Sequence, residues 1–109
     1  MKFNCVNFVA ERNENGTWKV REVMSSIIGF TTPSAELFVY KEGGKYVICE
    51  RTTGLRCAVV KKQKDINMLL SPPYIEQVCL FRDREQMDTF KALIRDAWKM
   101  YHKELEEAL

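Results

Sequence analysis

The sequence predicts an α+β fold: an antiparallel meander of five to six short strands, strongly curved or barrel-like, with one long amphipathic C-terminal helix packed on it. Three observations carry this expectation. Short β-rich runs between residues 37 and 61 are separated by glycine-bearing turns. The registers those turns would set place apolar side chains together and opposite charges together. From Met87 onward, apolar residues recur at steps of three and four, the period of one helical face.

Residues 2–12 carry Phe3, Cys5, Val6, Phe8 and Val9 in a strand-favouring stretch that ends in Asn13-Glu14-Asn15-Gly16. The Asn-Gly pair is a strong hairpin signal, because both residues tolerate positive φ. Residues 17–24 would be the returning strand. A two-residue turn at Asn15-Gly16 would, however, set Arg12 opposite Lys19, an unfavourable like-charge pair. Val20, Val23, Met24, Ile27 and Ile28 also fall at i, i+3, i+4, i+7 and i+8, so the pattern leaves 20–28 open between strand and helix. Gly29 and Pro33 punctuate a connection.

Residues 37–41, 45–51 and 55–61 read as three strands, split by Glu42-Gly43-Gly44 and Thr52-Thr53-Gly54. A Gly43-Gly44 turn pairs Glu42 with Lys45, Tyr40 with Val47 and Phe38 with Cys49. A three-residue loop at 52–54, with Gly54 at positive φ, pairs Glu50 with Arg56 and Cys49 with Cys57. One face of the unit then carries Phe38, Tyr40, Val47, Cys49, Leu55, Cys57 and Val59. The other carries Leu37, Val39, Tyr46, Ile48, Ala58 and Val60. A single helix cannot cover both, so the sheet must curl with the N-terminal segment behind it, or one face must be buried by a second copy of the chain.

After Lys61-Lys62-Gln63-Lys64-Asp65 come Ile66-Asn67-Met68-Leu69-Leu70 and a Ser71-Pro72-Pro73 loop. Residues 75–81 read as a last strand, and Asp83 with Gln86 makes a capping-box-like helix start. Met87, Phe90, Ile94, Ala97, Trp98, Tyr101, Leu105 and Ala108 form the helical stripe, which Leu93 and Met100 widen. The order of elements, a strand meander followed by one capping helix, resembles that of pleckstrin-homology-type domains. That is an analogy of fold, and it assigns no function.

A chain of 109 residues has room for one core, so 1–109 is read as a single domain. Its composition, 46% hydrophobic and 29% charged with five Gly and three Pro, is close to the globular average. The net charge of +2 is too small to argue for a polyanion without clustering. No apolar run reaches the roughly 18 residues of a membrane span. The N-terminus, broken by Asn4 and Asn7, lacks a secretory pattern. Cys5, Cys49, Cys57 and Cys79 show no Cys-x-x-Cys spacing and lie in apolar strand patterns, so they read as buried thiols. A cytoplasmic location follows as an expectation.

The basic cluster is the most suggestive feature. Residues 41–64 hold seven cationic side chains against Glu42 and Glu50. Lys45, Arg51, Arg56, Lys61, Lys62 and Lys64, with Tyr46 interleaved, are the candidates for contact with a protein partner or with nucleic acid. The plain alternative is that these charges protect strand edges, with Glu50 and Arg56 paired. On the helix, Lys91, Arg95, Lys99 and Lys103 make a basic line, which Asp88, Asp96, Glu106 and Glu107 would partly neutralise. Trp98 and Tyr101 read as core, or as an anchor for a partner. His102, the one histidine, reads as a surface residue.

No phosphate-cradling glycine loop, Rossmann pattern or His-Glu-x-x-His is present, and no cofactor or metal site is expected. The leading expectation is a small non-enzymatic protein acting through a protein–protein interface, an accessory or inhibitor protein, with a homodimer among the arrangements considered. Binding of nucleic acid or another anionic surface through the basic cluster is the alternative. A cysteine- or hydroxyl-based enzyme comes third, and would require His102 to meet Cys79, Cys5 or a serine.

Overall fold

The computed structural model describes residues 1–32, 35–69 and 84–109. Five strands come first: β1 (Cys5–Arg12), β2 (Trp18–Thr32), β3 (Ala35–Glu42), β4 (Lys45–Glu50) and β5 (Arg56–Val60). Two helices follow, α1 (Lys64–Leu69) and α2 (Arg84–Ala108). The strands form one sheet in the order β1-β2-β3-β4-β5, each antiparallel to its neighbour. This is the α+β meander with a long C-terminal helix. The expected strand at 75–81, the Ser71-Pro72-Pro73 loop, Cys79 and the Asp83 cap lie outside the described residues.

Residues 20–28 are strand. β2 pairs with β1 from Trp18 to Ser25 and with β3 from Ser26 to Thr32, with register shifts between Ile27 and Gly29 and between Phe30 and Thr32. The helix-like spacing arises because β2 carries apolar side chains on both faces. Val23 joins the inner core, while Met24 on the other face is exposed. The stretch around Gly29, expected as a connection, is therefore strand.

The β1–β2 turn avoids the predicted charge conflict. The Gly16 amide donates to the Asn13 carbonyl at 3.0 Å, and the Asn13 amide to the Thr17 carbonyl at 2.7 Å. With Gly16 at φ 85°, the loop is one residue longer than a two-residue turn. Register thereby slips by one, setting Arg12 opposite Trp18 and Glu11 opposite Lys19.

The β3–β4 register is the expected one, with Glu42 facing Lys45, Tyr40 facing Val47 and Phe38 facing Cys49. β4 and β5 also begin as expected, from Tyr46–Val60 to Ile48–Ala58. A bulge then sets Cys49 opposite Arg56, so the pairs Cys49–Cys57 and Glu50–Arg56 do not form. The cause is Glu50, whose buried carboxylate turns into the following loop. It accepts from the Thr52 amide at 2.9 Å, the Thr53 amide at 2.9 Å, the Thr53 hydroxyl at 2.5 Å and the Thr52 hydroxyl. One consequence is that Cys57 packs on the opposite side of the sheet from Cys49. Cys5, Cys49 and Cys57 carry no disulfide.

Both apolar faces are covered from within the chain. The inner face gathers Val9 and Val23 with Phe38, Tyr40, Val47 and Cys49. The outer face of β3–β5 gathers Leu37, Val39 and Ile48 around Ile66 of α1, and all four are at most 2% exposed. The cover of this face is α1, where the sequence pointed to the N-terminal segment or a second copy of the chain. Phe3 of the N-terminal segment packs against the same cluster.

The sheet curls without closing into the barrel that was the other expectation. β1 and β5 are its two edges, and the Ala10 amide donates to the Gly54 carbonyl at 2.9 Å, bringing β1 against the β4–β5 turn. Gly54 has φ 65°, and a Cβ there would lie 2.7 Å from Ile94 Cδ1, 2.8 Å from the Phe8 carbonyl oxygen and 2.9 Å from the Ala10 nitrogen. Only glycine fits both the conformation and the space.

α2 covers the outer side of β1 and β2. Phe90 meets the Trp18 ring edge-on at 4.6 Å, and Trp98 and Tyr101 meet Phe8 at 4.9 and 6.0 Å. The apolar stripe runs further in sequence than its burial does: Met100 is 60% and Leu105 45% exposed. A helix of 25 residues is about 37 Å long, whereas the eight residues of β1 span about 27 Å. The helix therefore outruns the strand it covers. No helix among the described residues is long and apolar enough to cross a membrane.

Candidate functional site

The fold divides the basic cluster predicted from sequence. β4 has six residues and is about 20 Å long, so its two ends present separate surfaces. Lys45 and Tyr46, together with Lys61, Lys62 and Lys64, lie at the end formed by the β3–β4 turn and the β5–α1 connection. Arg51 and Arg56 lie at the opposite end, beside the β4–β5 turn. The seven candidates therefore do not make one patch.

The end that holds Arg51 contains a groove of about 770 Å³. One wall is Arg51 and Thr52 of the β4–β5 turn, with Glu36 of β3. The other wall is α2, which contributes Lys91, Ile94, Arg95, Trp98 and His102. The helical residues follow from spacing: positions 91, 95, 98 and 102 are steps of four, three and four, one stripe along the helix. The turn is held in place by the Glu50 carboxylate and by the close approach of Gly54 to β1 and Ile94.

Arg51 is the hinge of the arrangement. Its Nη1 donates to Glu36 Oε2 at 2.8 Å, and its guanidinium carbon lies 5.7 Å from the centre of the Trp98 ring. Trp98 in turn carries the His102 ring nearly parallel to it, with centroids 5.8 Å apart. The result is an aromatic floor with cations beside it. Among the described residues, Glu36 is the one carboxylate lining the groove, and Arg51 already holds it. Lys91 and Arg95 are exposed and have no carboxylate within ion-pair distance among the described residues. The neutralisation expected from Asp88 and Asp96 is not seen there.

Trp98 is thus both core and surface. It is half-buried, meets Phe8 edge-on and still lines the groove. His102 is exposed, and its ring neighbours are Trp98 and Tyr101. The hydroxyls of Thr52 and Thr53 both donate to Glu50, so neither is held by an imidazole. Cys79, one partner considered for a thiol mechanism, lies outside the described residues.

A second charged group closes the inner face near the β3–β4 turn. Arg21 donates through Nε and Nη2 to Glu11 Oε1 at 2.8 and 2.6 Å, and through Nη2 to Glu42 Oε1 at 2.9 Å. Its guanidinium carbon is 5.7 Å from the Tyr40 ring centre. The hydrogen bonds to Glu11 raise the Arg21 pKa further, against some desolvation. Burial, chiefly, pushes the Tyr40 phenol up, and Cys49 and Glu42 add to that effect. Both groups keep their ordinary charge at neutral pH, so this network is a structural clasp.

At the other end of the inner face, the Asn7 amide donates to the Ser25 hydroxyl at 2.8 Å, and Ser25 donates to the Cys5 carbonyl at 2.8 Å. Asn7 Oδ1 is buried and accepts no hydrogen bond among the described residues. No group of three or more His, Cys, Asp or Glu residues suited to a metal ion occurs among the described residues.

The sequence reading named Arg51 but missed its partners. Spacing alone places Lys91 and Arg95 on a partly neutralised basic line and His102 on the surface. The available signal was the shared helical stripe of 91, 95, 98 and 102. What sequence could not supply was that the 51–54 turn folds against that stripe.

Comparison with protein-family models, with curated proteins and with solved structures found no match to this chain.

Proposed function

We propose that this chain is a non-enzymatic binding protein of the accessory or inhibitor type, and that it takes an acidic segment of a protein partner in the groove between α2 and the β4–β5 turn. The observation that carries the reading is Arg51 over the Trp98 ring, with Lys91 and Arg95 beside it lacking counter-charges among the described residues. Arginine and tryptophan dominate the energetics of protein interfaces, because each combines a large apolar surface with a directional polar group. A volume of about 770 Å³ suits a few side chains of an extended segment. Carboxylates on that segment would pair with Lys91 and Arg95, and an apolar side chain would cover the indole.

The partner is a different protein in this reading. A homodimer is motivated by two apolar sheet faces, and β1 and β2 on one side and α1 on the other already pack against those faces.

Selection of binders from a random peptide library tests the proposal. The expected winners are rich in Asp and Glu around one apolar or aromatic residue, and they lose binding to the Lys91→Ala plus Arg95→Ala protein. Both sites are exposed, so that variant is expected to keep the fold. Winners that are basic or uncharged, or that bind the variant as well as the parent, would contradict it.

A further inference from the structure

We propose that the opposite end of the sheet is a second, independent site, which binds the phosphate backbone of duplex nucleic acid without reading its sequence. Lys41 and Lys45 flank the β3–β4 turn, and Lys61, Lys62 and Lys64 follow β5 into α1. All five are exposed. None has a carboxylate within ion-pair distance among the described residues. The carboxylates on the same two segments are Glu42, which Arg21 already holds at 2.9 Å, and Asp65 in the first turn of α1.

The local arrangement works against stability. Tyr46 faces Val60 across β4 and β5, which brings Lys45, at the start of β4, near Lys61, just past the end of β5. Like charges held close together weaken a fold, and although Glu42 faces Lys45 across β3 and β4, its carboxylate is held by Arg21. Edge protection would be served by a single lysine on each strand, but a polyanion needs the charges together.

Two features select the ligand. Among the described residues, none of the large exposed apolar side chains lies on the 41–46 or 60–66 segments, and Val59 alone adjoins them, too little to anchor the lobe in a bilayer. Tyr46, the aromatic ring in the lobe, is already engaged. Phe3 stacks near it with centroids 6.4 Å apart, and Lys41 Nζ lies 5.3 Å from its ring centre. It offers no platform for the unstacked bases that single-strand binders grip. Ammonium groups alone remain, and they favour the duplex, which carries the denser line of phosphates.

Fluorescence anisotropy with labelled 20-base-pair DNA duplexes of two unrelated sequences, across a salt series, tests the inference. Both duplexes should bind alike and more tightly than either single strand, with a log–log salt slope of about −4 to −5 if all five lysines meet phosphates. Lys61→Ala plus Lys62→Ala should flatten the slope by about two and weaken binding by on the order of tenfold or more at low salt. Arg51→Ala, in the distant groove, should leave duplex affinity within about twofold, which keeps this site separable from the groove. Circular dichroism confirms that each variant is folded. Absence of duplex binding at low salt, an affinity insensitive to salt, preference for the single strand, or capture by phosphatidylserine vesicles without duplex binding would each overturn the inference.

Discussion

The guanidinium of Arg51 lies 5.7 Å from the centre of the Trp98 ring, joining the β4–β5 turn to the long helix across the mouth of the groove. Neither residue reaches that position unaided. Arg51 is carried by a turn that Glu50 folds and Gly54 docks, and Trp98 is carried by a helix that Phe90 and Ile94 bury. The groove is therefore a product of how the sheet curls.

Gly54 is the tightest point of that curl. In Gly54→Ala, the new methyl must displace Ile94 and two backbone atoms of β1 while holding a left-handed φ, which should cost about 2–5 kcal/mol. Gly16 also has positive φ, but its nearest potential clash is Arg12 Nη2 at 3.9 Å. Gly16→Ala should cost only about 1–2 kcal/mol. Urea denaturation of the two variants distinguishes the effects, and equal losses would mean that the docking at Gly54 contributes nothing.

Glu50→Ala removes the acceptor of four hydrogen bonds and leaves the Thr53 amide and hydroxyl buried without it. The expected loss is about 2–3 kcal/mol. Because the turn carries Arg51, the same variant should also weaken groove binding. Hydrogen exchange at the Thr53 amide is the direct reading, and unchanged protection there would refute the role given to Glu50.

The turn also shows where sequence reading succeeds and where it stops. Gly43-Gly44 set the β3–β4 register correctly, because a tight turn leaves one way to pair the strands and the flanking side chains agree with it. The same logic at Thr52-Thr53-Gly54 missed the bulge, because Glu50 has two competing partners. Pairing with Arg56 was visible in the strand pattern, whereas four hydrogen bonds from its own turn were not. Residues 66–69 went unassigned because six residues of helix carry too little periodicity to recognise. The groove was least legible, since it needs residues 36, 51 and 91–102 to converge through tertiary packing alone.

Ile66 tests whether α1 is the cover of the outer face. Ile66→Ala should cost about 2–5 kcal/mol, since the side chain is 1% exposed against Leu37, Val39 and Ile48. Binding of a hydrophobic dye should rise in the variant. A loss below about 0.5 kcal/mol would show that something other than α1 keeps that face dry.

Tyr40 predicts the alkaline behaviour. Burial raises its folded pKa above that of an unfolded tyrosine, so between the two values the folded chain holds a proton that the unfolded chain has lost. Stability should be unaffected by this group at neutral pH and should fall as pH rises past about 10. Tyr40→Phe should remove that part of the decline. Ultraviolet titration should show a phenol ionising above the usual tyrosine range that disappears in Tyr40→Phe, and a titration that keeps this late component in the variant would exclude the effect.

The most direct measurement is a nuclear magnetic resonance titration that follows the indole N–H signals of the two tryptophans, Trp98 and Trp18. The added probe is a peptide of Glu and Asp residues around one phenylalanine. Trp98 lines the groove, while Trp18 packs against Phe90 near the start of α2. The account predicts that the Trp98 signal shifts in a saturable way while the Trp18 signal stays in place. Saturable binding that leaves Trp98 unmoved, or no binding at all, would contradict it.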